Sequence, residues 1–139
     1  MFDFLRNRQS TKSTTKKLIL LTGAAGNIGT SLQHQLDGDY QFRCIDRRHV
    51  PHAKDFRRVD ITNFKAVLKV MAGVDAVIHL AANPEINQPW EDVYTSGIGG
   101  THNIFEAARQ AGVKQIIYAS TIHVSGRMAG SGTRIPYYP

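Results

Sequence analysis

Thiol chemistry is almost absent from this chain: Cys44 is its single cysteine. No internal disulfide can form, and a lone cysteine within an apolar strand reads as a small core residue. Long apolar runs are missing too. None approaches the ~20 residues that a helix needs to cross a bilayer, and the first residues lack the apolar stretch of a secretory signal. Histidines 34, 49, 52, 79 and 102 show no metal-ligand spacing, so no metal is assigned. Acids are scarce: 11 Asp and Glu stand against 17 Lys and Arg, a formal net charge of +6. No internal repeat is present. A length of 139 residues leaves room for one domain with one sizeable core.

The basic excess is uneven. Residues 1–17 hold Arg6, Arg8, Lys12, Lys16 and Lys17 against one acid, Asp3. A second cluster comprises Arg43, Arg47, Arg48, Lys54, Arg57 and Arg58. Such a balance is compatible with nucleic acid, a membrane surface or a phosphorylated ligand. The reading adopted is a solvated surface with a disordered leader over 1–17, a composition that an organelle transit peptide shares. Nucleic acid and membrane are not expected partners, and a cytoplasmic location is expected.

Past the leader, short apolar runs alternate with amphipathic segments. Strands are predicted over Leu18–Thr22, Gln41–Asp46, Arg57–Asp60, Ala76–Ala81 and Gln115–Ala119. Helices are predicted over Asn27–Leu36, Asn63–Met71 and Trp90–Ala111, the last interrupted by glycines 97, 99 and 100. Strand–helix alternation implies an α/β fold: a doubly wound parallel sheet of about five strands, ordered 3-2-1-4-5, of the Rossmann type. The domain is placed at 18–126, and residues 127–139, marked by Gly130, Gly132, Pro136 and Pro139, read as a connecting loop. In such sheets the ligand lies beyond the carboxyl ends of the strands. The residues at those ends are Gly23 to Gly29, Asp46, Asp60, Leu80 to Asn83, and Ser120 to Thr121.

The first of those ends carries the sharpest signal. A buried run breaks into Gly23-Ala24-Ala25-Gly26-Asn27-Ile28-Gly29 and continues as a helix. Gly23 permits a tight turn, Gly26 removes a Cβ that would strike a pyrophosphate, and Gly29 lets the helix lie close to the strand. Free N–H groups near Asn27 and Ile28, aided by the helix dipole, suit an anion. A dinucleotide is therefore the expected ligand. Asp46 ends the second strand, where a carboxylate accepts both ribose hydroxyls and disfavours a 2′-phosphate. Arg47 and Arg48 complicate this, since guanidiniums hold phosphate well; NAD is favoured over NADP. Asp60 and Ile61 suit the adenine amino group and ring face, although Asp60 and Thr62 also suit an N-cap for the following helix. Thr121 places a hydroxyl where it could donate to a reacting carbonyl, and His123 has the range for acid–base work.

Together these residues resemble the extended short-chain dehydrogenase/reductase family, the NAD-dependent epimerase/dehydratases. The likeness runs from about Lys17 to Gly126. Thr22 to Gly29 resembles its dinucleotide turn, Asp60-Ile61 its adenine-side pair, and His79-Leu80-Ala81-Ala82 the segment lining the cofactor. Gly100 to Ala108 resembles its central helix. Tyr118-Ala119-Ser120-Thr121-Ile122-His123 resembles the strand that bears the catalytic Ser or Thr, which puts that role on Thr121 and places Ala119 and Ser120 beside the cofactor. Pro89-Trp90-Glu91-Asp92-Val93 looks most like the uronate-dehydrogenase branch.

The resemblance implies a cofactor-binding part of an NAD-dependent sugar or sugar-acid epimerase, dehydratase or dehydrogenase. The family's Tyr-x-x-x-Lys pair, its proton-transfer group, would fall past Pro139, so the chain is expected not to turn over substrate alone. Gly97 stands where the family has an Asn, and Ser125 where a Tyr is frequent. Two alternatives stay open: a non-catalytic NAD(P)-binding or sensing module, and a non-functional truncated product. Dimerisation through the central helix is left undecided.

Overall fold

The computed structural model describes residues 15–83, 85 and 87–120. The leader up to residue 14, Thr121, His123 and the loop 127–139 lie outside the described residues.

Five strands form one parallel sheet: β1 (Leu18–Thr22), β2 (Gln41–Asp46), β3 (Asp55–Arg58), β4 (Ala76–His79) and β5 (Gln115–Tyr118). Their order is β3-β2-β1-β4-β5, as the alternation predicts. Each parallel neighbour requires a crossover, and the crossovers keep one hand. Helix α1 (Asn27–Leu36) therefore lies on one face of the sheet. Helix α2 (Phe64–Val70) and the long helix ending in α4 (Gly100–Gln110) lie on the other.

Side chains alternate between these faces along each strand. Leu20, Ile45 and Val77 point to α2 and α4, where they meet Val67, Met71, Ile104 and Ala107 in the larger core. Leu21 and Cys44 point to α1 and pack with Ala24, Val50 and Leu32. Cys44 is a buried core residue, and burial pushes its thiol up to about 12. Arg43 locks β2 to its neighbours. Its Nε donates to Asp55 at 2.9 Å, and its Nη1 donates to the carbonyls of Val70 and Ala72 at the end of α2.

Three boundaries differ from the periodicity. β3 starts and ends two residues earlier than Arg57–Asp60, because Asp55 is held in the ladder by Arg43 and Arg57. β4 stops at His79, before Leu80 and Ala81, whose N–H groups turn to Thr22. β5 likewise stops one residue short of Ala119. The cap of α2 is Asn63, whose Oδ1 accepts from Ala66 N–H, while Asp60 makes its own turn with Thr62.

The glycines of the long helix do not interrupt it. A short turn, α3 (Trp90–Asp92), runs through a π-helical segment, Val93–Gly99, straight into α4. Gly100 serves packing: a Cβ there would sit 2.6 Å from Ile61 Cδ1. Among the described residues no helix is long and apolar enough to cross a membrane.

Candidate functional site

The carboxyl ends of β1, β2 and β4 open onto a crevice of about 780 Å³, within the range of small-molecule sites. Its floor is the turn after β1. Gly23 has φ +67°, and a Cβ on it would sit 2.8 Å from the backbone of Leu80 and Ala81. Only glycine satisfies both demands. Gly29 has a second close contact: its Cβ would meet Gly23 O at 2.6 Å and Ala24 Cα at 2.8 Å. The first turn of α1 is thus pressed onto the end of β1. Gly26, in extended backbone, precedes α1 and offers no side-chain cap. The early N–H groups of that helix, at Asn27, Ile28 and Gly29, have no intrahelical acceptor and line the crevice.

Asp46 stands at the end of β2 with its carboxylate oriented by the backbone. Oδ2 accepts from Ala25 N–H at 3.0 Å, and Oδ1 accepts from Arg48 N–H at 2.9 Å. Each oxygen retains acceptor capacity toward the crevice. The Arg48 side chain, largely exposed, brings Nε within 3.7 Å of Oδ1. Asp60 and Ile61 form the next wall. Asp60 Oδ1 accepts from both the N–H and the hydroxyl of Thr62. Asn103 on α4 donates to the carbonyls of Ile61 and Thr62, so this wall is tied to the long helix.

The fold gathers Gly23, Gly26, Asn27, Ile28, Gly29, Asp46 and Arg47 around one crevice. Asp60, Ile61, Leu80, Ala81 and Ala82 join them. Ala119 and Ser120 do not line it: Ala119 N–H is bonded to His79 O, and both residues are exposed. Thr121 lies outside the described residues. Arg48 and Asn83, also singled out at the strand ends, line it too, and lining residues absent from the sequence reading include Glu85 and Ser96. Ser96 belongs to the π-helical segment, a widened turn often found at functional sites, which no residue pattern announced. Behind the crevice, fully buried Thr22 and His79 share a 2.7 Å hydrogen bond. Among the described residues no group of His, Cys, Asp and Glu could hold a metal ion.

This geometry is compatible with an anionic dinucleotide: a turn packed so closely on its own backbone that it admits only glycine at 23 and 29, helix N–H donors without intrahelical acceptors, and an oriented carboxylate one strand away. Comparisons with known proteins agree. The model of the NAD dependent epimerase/dehydratase family matches residues 19–139. An NAD-dependent glucose-6-phosphate dehydrogenase of Haloferax volcanii is 37% identical over 116 residues, covering 78% of this chain and 44% of that protein. A uronate dehydrogenase of Pseudomonas syringae is 36% identical over 121 residues, covering 84% of this chain and 44% of that protein. The solved structure of a uronate dehydrogenase mutant of Agrobacterium tumefaciens complexed with NAD superposes with a TM-score of 0.71 at 30% identity, over 78% of this chain and 42% of that one. The chain therefore spans less than half the length of these relatives. With the match covering nearly the whole sequence, the chain belongs to the NAD-dependent epimerase/dehydratase family.

Proposed function

We propose that this chain is the NAD-binding part of an NAD-dependent enzyme acting on sugars or sugar acids. The observation that carries the reading is the meeting of an uncapped α1 N-terminus, a glycine cradle and the Asp46 carboxylate in one crevice. Amides of Asn27 and Ile28 donate to the diphosphate. Asp46 accepts the hydroxyls of the adenosine ribose through the lone pairs that Ala25 and Arg48 leave free. Asp60 receives the adenine amino group and Ile61 covers its face, while Leu80, Ala81 and Ala82 line the path toward the nicotinamide. When bound, NAD takes or returns a hydride at its nicotinamide ring. By the family resemblance, the hydroxyl of Thr121 donates to the reacting oxygen of the substrate.

NAD is favoured over NADP because a 2′-phosphate would face the Asp46 carboxylate, a like-charge approach in a partly enclosed site. Arg47 and Arg48 soften this preference rather than reverse it, since the Arg48 backbone and guanidinium are both turned toward Asp46. The relatives named as a glucose-6-phosphate dehydrogenase and a uronate dehydrogenase support the substrate class. Titration calorimetry with NAD and NADP tests the reading. A saturable heat with NAD, weaker with NADP, is expected; no heat with either from the folded chain contradicts it.

A further inference from the structure

His79 lies on β4, wholly buried, with its two ring nitrogens engaged by different elements. Nδ1 is 2.7 Å from Thr22 Oγ1 on β1, and Nε2 is 3.2 Å from Thr101 Oγ1 on α4. The ring stacks on Tyr118 of β5 at 5.3 Å. A single side chain thus touches two neighbouring strands and the long helix. Its other neighbours settle which nitrogen carries the proton. Thr22 Oγ1 accepts Leu80 N–H at 3.1 Å and Ala81 N–H at 3.0 Å. A hydroxyl oxygen has two lone pairs and one proton. Both lone pairs are taken by amides, so the proton must go to Nδ1. His79 is then the Nε2–H tautomer, and its proton goes to Thr101.

We propose that His79 is a positioning residue for the dinucleotide crevice: by accepting the Thr22 hydroxyl proton it commits both Thr22 lone pairs to Leu80 and Ala81, and so fixes the segment after β4 against Gly23. The contact it protects is one that only glycine allows. The Leu80 and Ala81 backbone lies where a Gly23 Cβ would be, at 2.8 Å. Leu80, Ala81 and Ala82 line the crevice just beyond. With the proton on Nδ1, or on both nitrogens, a third donor would face Thr22 Oγ1; Leu80 N–H keeps the Thr22 carbonyl at 3.3 Å, so the Ala81 amide would lose its acceptor. No charged group is among the hydrogen-bond or ring partners of His79; burial alone favours the neutral ring. The effect on affinity rests on the NAD-binding reading above, whereas the tautomer and the amide contacts do not.

Two measurements on the 139-residue chain separate the claims. Long-range proton–nitrogen correlation spectra of the imidazoles report which nitrogen is protonated. Nδ1 bare and Nε2 protonated is the expected pattern for His79; a protonated Nδ1 at neutral pH overturns the proposal. Hydrogen exchange and NAD titration then compare Thr22→Val with Thr22→Ser. The valine keeps the shape and loses the hydroxyl. It should speed exchange at the Ala81 amide, Leu80 N–H keeping its bond to the Thr22 carbonyl, and weaken NAD binding about tenfold, the unpaired amide being the cause. The serine should restore both to near the parent values. Should the valine variant fail to fold, the serine variant and the parent ring pattern still decide. Unchanged exchange in the valine variant overturns the proposal. A parent chain that binds no NAD, yet shows the expected ring pattern and exchange, overturns the functional reading and leaves the positioning device standing.

Discussion

Among the described residues, the sheet's two outer strands differ. On one side, β3 reads Asp55-Phe56-Arg57-Arg58, with three charged side chains in four and Phe56 alone packed on the core. On the other, β5 reads Gln115-Ile116-Ile117-Tyr118, with Ile117 52% and Tyr118 47% exposed beside a half-exposed Phe105. Charge along an edge strand discourages a further strand from pairing; an apolar edge invites one. The ligand chemistry divides along the same line. The β2–β3 side builds its part of the crevice from side chains, Asp46 and Asp60 among them. The β4–β5 side builds its part from backbone held by a buried relay, with His79 behind Leu80 and Ala81. Between them, the turn after β1 serves both.

The largest effect is therefore expected at that shared turn. Gly23→Val places a β-branched residue at φ +67° with its Cβ against the Leu80–Ala81 backbone. A cost of about 4 kcal/mol or more is expected, with loss of NAD binding, read by urea denaturation and calorimetry.

On the β4 side, pH is the lever. Burial holds His79 at about 4, below its ordinary 6.5. Between those values the unfolded chain binds a proton that the folded chain refuses. Stability from the neutral ring is complete above pH 6.5 and is lost as the pH falls toward 4, about 3 kcal/mol in all. Urea unfolding at pH 7, 5 and 4 should show this slope, and His79→Gln should flatten it. An equal slope in both would place the pH dependence elsewhere.

On the β2 side, Asp46→Asn leaves the fold nearly unchanged and weakens NAD binding about tenfold, roughly 1.4 kcal/mol. Discrimination against NADP should shrink as well, with Arg47 and Arg48 left unopposed. Gly100→Ala gains helix propensity of about 1 kcal/mol but presses its Cβ onto the end of Ile61. Near-neutral stability with a few-fold loss of NAD affinity is expected from displacement of the Ile61 wall. The smallest effect is at β5, the outer strand among the described residues. Ile117→Lys should change stability by no more than about 0.5 kcal/mol while raising the concentration at which the chain stays dispersed, measured by light scattering.

How much of this was legible in the residues follows the same division. Leu18–Thr22, Asn27–Leu36 and Gln41–Asp46 match their elements end to end, because each is a local pattern closed by glycine or by a turn. The places of the glycines and Asp46 around the crevice were legible for the same reason: each follows directly on the strand before it. β3 was misplaced because Asp55, a poor strand former, is held by Arg43 from the neighbouring strand. The roles of Thr22, His79 and Thr101 were invisible, since they meet across 57 and 22 residues and carry no spacing signal. Ser96 reaches the crevice only because the long helix widens to a π turn, which its glycines suggested as a break. Ala119 and Ser120 were assigned by their place after β5; the backbone of Ala119 continues the ladder to His79, and neither residue lines the crevice.

The central claim is that amides of the first α1 turn hold a diphosphate while Asp46 holds the adjoining ribose. Amide proton–nitrogen spectra recorded through an NAD titration test it most directly. The account predicts saturable shifts concentrated at Gly26, Asn27, Ile28 and the residues around Asp46, with β5 silent. Shifts confined to the β5 edge, or none at any NAD concentration in a folded chain, would contradict it.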